Sequence, residues 1–75
     1  MKPYQTGPIR YVAALLHRDS RRQRYCGIYD NNTGAFASFM DAAHRDETIL
    51  LIRSNPGRAS RLVWMTEPIG VLEFL

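Results

Sequence analysis

The segment Asp30-Asn31-Asn32-Thr33-Gly34 sets the firmest constraint on how this chain folds. Asparagine, aspartate and glycine tolerate positive φ, and short amide and carboxylate side chains close turns on their own backbone. On its two sides lie Tyr25-Cys26-Gly27-Ile28-Tyr29 and Ala35-Phe36-Ala37-Ser38-Phe39, both of strand-like composition. The spacing predicts a hairpin over 25–39.

The remaining segments are read against that hairpin. Ile9–His17 is apolar and opens with tyrosine and valine. Ile9, Val12, Ala13 and Leu16 also fit a helical stripe, with Pro8 suited to a first helical position, so helix and strand stay open here. Thr48–Arg53 is a short β-branched run closed by the turn residues Ser54-Asn55-Pro56-Gly57. Arg61–Thr66 is a further strand candidate, Pro68 interrupts it, and Ile69–Leu75 completes the sequence. Met40–Glu47 is polar and predicts a short helix or turn. In a rival parse, Ser38 and Asp41 form a capping box and Phe39–Ser54 is one helix. In that helix Phe39, Ala43 and Leu50 share a face, but Asp46 intrudes on it and Ile52 points away. The expected fold is all-β, a small barrel or strongly bent sheet with one short helix near 40–47. The alternative is α+β, an antiparallel sheet with one or two helices.

Seventy-five residues make a single domain, 1–75, with 1–8 as a flexible lead-in. One cysteine, Cys26, excludes an intramolecular disulfide. The lead-in lacks the apolar stretch of a signal peptide, and the longest apolar runs, Tyr11–Leu16 and Ile49–Ile52, are far shorter than the ~20 residues of a membrane span. A cytoplasmic protein without membrane association is expected, and Asn31-Asn32-Thr33 is read as a turn rather than a glycosylation site.

Gly34–Phe39, then Thr48–Ile52, then Ser60–Met65, resembles the strand order of Sm-like barrels, the Hfq family included. The resemblance implies a small SH3-like barrel of the kind that assembles into rings and binds RNA. This chain departs from the pattern with the insert Met40–Glu47, and with Met65-Thr66 where the Hfq family has a Lys-His pair in contact with RNA. No functional residue carries over.

Charge is concentrated in one place. His17-Arg18-Asp19-Ser20-Arg21-Arg22-Gln23-Arg24 holds four of nine arginines in a chain of net charge +3. A guanidinium grips phosphate in a bidentate way. Arg18, Arg21, Arg22 and Arg24 are therefore candidate phosphate contacts, with a neighbouring tyrosine, Tyr25 first, as a stacking surface. Coding bias toward arginine, one internal acid and the ordinary need for a solvated loop argue for a plain connection.

Other chemistry finds little footing. Cys26 has no spacing relation to His17 or His44 that marks a nucleophile, and no ligand set has metal spacing. No glycine-rich phosphate loop occurs, and only Asp46 and Glu47 are adjacent carboxylates. An enzyme, a cofactor and a small-molecule substrate are not expected. The first functional expectation is a non-enzymatic nucleic-acid-binding domain. The second is a protein-interaction module, such as an oligomer subunit or a small inhibitor of a larger assembly. It would use the apolar C-terminal segment, Trp64, or the arginine loop mimicking or gripping a partner.

Overall fold

The computed structural model describes residues 9–18 and 23–75. Four strands, β1 (Tyr11–Arg18), β2 (Gln23–Asp30), β3 (Phe36–Phe39) and β4 (Val71–Phe74), form one antiparallel sheet in the order β3-β2-β1-β4. One helix, α1 (Ala42–Ser54), and a 3-10 helix, Pro56–Arg61, lie between β3 and β4. The architecture is α+β.

The barrel expectation is thus corrected, because the sheet stays open, with β3 and β4 at its edges. The correction traces to 48–53, which is helix rather than strand. The Asp41 side chain accepts a hydrogen bond from the His44 amide at 2.8 Å and caps a helix that runs, without a breaker, to Asn55-Pro56. Ile49 and Ile52 are buried one turn apart, and Arg45 occupies the preceding place on the same stripe. A buried arginine among apolar positions is what obscured the helical period. Its stem packs while its guanidinium reaches Asp46 at 2.9 Å.

The first apolar segment is a strand, and it pairs with β2 from Tyr11↔Asp30 to Arg18↔Gln23. The turn at 30–34 forms as the sequence predicts. The Asn32 amide donates to Asp30 Oδ1, the Gly34 amide donates to the Asp30 carbonyl, and Gly34 has φ 79°.

Both faces of the sheet bury apolar side chains. On one, Tyr11 and Ile28 meet Ile49, Ile52 and Ala59, with Phe39, Leu62 and Trp64 packed around them. On the other, Ala14, Leu16 and Phe36 pack with Tyr25, Tyr29 and Leu72. Glycine is required at Gly27, where a methyl would strike the Ala37 carbonyl oxygen and the Phe36 ring. Among the described residues no helix covers the second face. The expected strand 61–66 instead makes a single bridge, with the amides of Phe36 and Met65 each donating to the other residue's carbonyl at 3.0 and 2.8 Å. From there the chain crosses over Leu16 and Tyr25 to reach β4 on the far edge.

Candidate nucleic-acid interface

The β1–β2 ladder outruns its neighbours. β3 pairs only with Cys26–Tyr29, and β4 reaches no farther than His17. At the rung His17↔Arg24 only β4 still flanks the ladder, through His17↔Val71, and the last rung, Arg18↔Gln23, ends the sheet two strands wide. Residues 19–22 join its strands and lie outside the described residues, so the predicted contacts Arg21 and Arg22 have no structural description here.

Strand alternation separates the other two arginines. Arg18 lies on the face that carries Leu16 and Tyr25, and Arg24 lies opposite His17 on the face that carries α1. Both are exposed. Among the described residues neither forms an ion pair, and Glu73 on the Arg24 face is engaged by His17 Nε2 at 2.7 Å. Tyr25 is half-buried beside Arg18, and its hydroxyl donates to Gln23 Oε1 at 2.8 Å. Arg18 and Tyr25 share with Leu16, Ser38, Met65, Glu67 and Ile69 the wall of a cavity of about 240 Å³. Sequence reading missed the cavity, because its far wall comes from the 65–69 crossing, which has no local signature.

Trp64 stands apart from this end. Its indole packs 6.0 Å from the Tyr11 ring, and its Nε1–H donates to the Ala59 carbonyl at 2.8 Å. Tyr11 and Arg18 are the two ends of β1, about 23 Å apart at ~3.3 Å per residue. Trp64 thus belongs to the core wall at the other end of the molecule from the basic ribbon.

That other end has its own ion pair. Arg10 Nε and Nη2 donate to Asp30 Oδ1 and Oδ2 at 3.0 and 3.1 Å. Burial by itself would raise the Asp30 carboxyl, but the Arg10 guanidinium, the Asn32 amide and the Thr33 hydroxyl together outweigh it and hold the group below its ordinary range. The hydrogen bond from Arg10 to Asp30 correspondingly raises the guanidinium.

The Cys26 thiol, half-buried, donates to the Phe39 carbonyl at 3.3 Å, and His44 lies edge-on to the Phe39 ring at 5.2 Å. No cluster of three or more His, Cys, Asp or Glu side chains with metal-binding geometry occurs among the described residues. No helix among them is long and apolar enough to cross a membrane. Compared with protein-family models, curated proteins and solved structures, the chain matches none.

Proposed function

We propose that this protein is a small DNA-binding domain whose β1–β2 ribbon enters a groove of the duplex and grips phosphates on both sides of it. The observation that carries this reading is the placement of exposed Arg18 and Arg24 on opposite faces of the last two rungs of one ladder. A two-stranded antiparallel ribbon fits the ~12 Å major groove of B-form DNA. Arginines on its two faces are directed at the two phosphate walls rather than at one. Arg21 and Arg22, which lie outside the described residues, add positive charge in the sequence between them. Tyr25, on the Arg18 face, supplies a ring beside that contact. The deep, narrow major groove of A-form RNA does not admit side chains in this way, so duplex DNA is the preferred ligand.

The expected binding is electrostatic and sequence-tolerant, with a Kd of about 10⁻⁴–10⁻⁶ M at physiological salt. Titration of a labelled DNA duplex, an RNA duplex and single strands at several salt concentrations tests it. Each phosphate neutralised contributes about 0.9 to the slope of log K against log salt. The double variant Arg18→Ala/Arg24→Ala is therefore expected to bind more weakly with a slope shallower by about 2. Absence of duplex binding at low salt, or an unchanged slope in the double variant, overturns the reading.

A further inference from the structure

β4 is an outer strand of four residues whose one charged side chain is Glu73. It has no lysine, proline or bulge, and Val71, Phe74 and the following Leu75 are 61%, 55% and 67% exposed. The helix α1 packs chiefly over β1, β2 and β3.

The hydrogen-bond pattern defines what fits there. The Leu75 amide donates to the Ala13 carbonyl, so Glu73 and Val71, two and four residues before it, also face β1. By the same alternation, the amides and carbonyls of Leu72 and Phe74 point away from the sheet. A partner strand must pair with these even-numbered positions. We infer that this partner is a second copy of β4, running antiparallel about a twofold axis through Leu72.

The register follows from three possibilities. Pairing Leu72 with Phe74 of the other copy would set Glu73 directly against Glu73 at the closest spacing, ~4.5 Å between Cα atoms, with two like charges opposed. Pairing Leu72 with Gly70 would leave Phe74 without a partner. Pairing Leu72 with Leu72 satisfies the outward groups of both copies. It sets Val71 beside Glu73 and Phe74 beside Gly70, whose lack of a side chain leaves room for the ring. Gly70 is a glycine for intrinsic reasons too, since its φ is 138° and a methyl there would strike the His17 carbonyl oxygen. Even numbers pair with even numbers, so the helix-bearing faces of the two copies stay on one side and the result is a continuous eight-stranded sheet.

The test is the mass of the full chain in solution, free of nucleic acid, by light scattering or sedimentation over a range of concentrations. The wild type is expected to pass from 8.6 kDa to twice that value as concentration rises. Phe74→Pro removes an outward amide that β1 does not use, so the sheet keeps its ladder while the dimer dissociates, with Kd raised about tenfold or more. Val71→Lys is the register-specific variant. It is expected to stay dimeric and to become salt-sensitive, because the new ammonium lies beside Glu73 of the other copy. A wild type that remains 8.6 kDa throughout, one that exceeds a dimer, a dimeric Phe74→Pro, or a Val71→Lys variant that dissociates each overturns the inference.

Discussion

Asp30 closes the fold at the start of the 30–34 turn, and its chemistry gives the protein an acid limit. It is the last residue of β2 and is buried. Both of its oxygens are engaged by Arg10, and one also accepts from the Asn32 amide. Its folded proton affinity is lower than its unfolded one. A carboxylate of this kind contributes stability that is fully present above the ordinary carboxylate range, near pH 4, and is lost as pH falls through the folded value. Asp30→Asn is expected to cost about 1–3 kcal/mol at neutral pH, because an amide accepts the Arg10 bonds poorly and adds a donor with no partner. Its stability should also decline less than wild type on acidification. Urea unfolding at pH 7 and pH 3.5 gives both numbers. An equal loss in wild type and variant between those values would show that Asp30 does not set the acid limb.

At the scale of elements, α1 shows what the sequence carried openly and what it did not. The turn at 30–34 and the strands beside it were legible because each residue's own backbone preference agrees with its place. The helix was harder. Its buried stripe is Arg45, Ile49 and Ile52, while Leu50 and Leu51 face outward, so hydrophobicity does not mark the helical side. Here the cap and the absence of a breaker outweigh the β preference of Thr48-Ile49. The basic ribbon was legible as charge but not as geometry, since strand alternation, rather than composition, puts Arg18 and Arg24 on different faces. Trp64, chosen from its chemistry alone, is claimed by the core through Tyr11 and Ala59. If Asp41 does fix the start of α1, Asp41→Ala should destabilise the protein by about 1 kcal/mol. Helical content by circular dichroism should stay near wild type in the folded state, because Ile49 and Ile52 still anchor the helix. A urea midpoint unmoved by the substitution would remove the cap from the account of why 48–53 is not a strand.

For the whole molecule, the central ladder and the two edges differ in how they meet water. β1 and β2 are flanked on both sides and bury Ala14, Leu16 and Ile28 completely or nearly so. The β1 edge beyond the reach of β4 is also covered, since Arg53 Nη2 donates to the Tyr11 carbonyl at 2.9 Å. Among the described residues, β3 leaves the outward main-chain groups of Ser38 unpaired, and β4 those of Leu72 and Phe74. The ribbon projects along the strand direction, whereas the β4 edge faces sideways. The proposed DNA contact and the inferred self-association thus use different sides of the sheet, and antiparallel pairing of β4 would send the two ribbons toward opposite ends of the joined sheet. Hydrogen exchange separates these regions. Amides of Val12, Ala14 and Leu16, which alternation directs into β2, should exchange only through global unfolding and at any protein concentration. Leu72 and Phe74 amides should exchange rapidly in dilute protein and slow as concentration rises, while Glu73, directed into β1, changes far less. The same pattern should vanish from Leu72 in Phe74→Pro. Uniform protection along 71–75, independent of concentration, would mean that β4 presents no open edge.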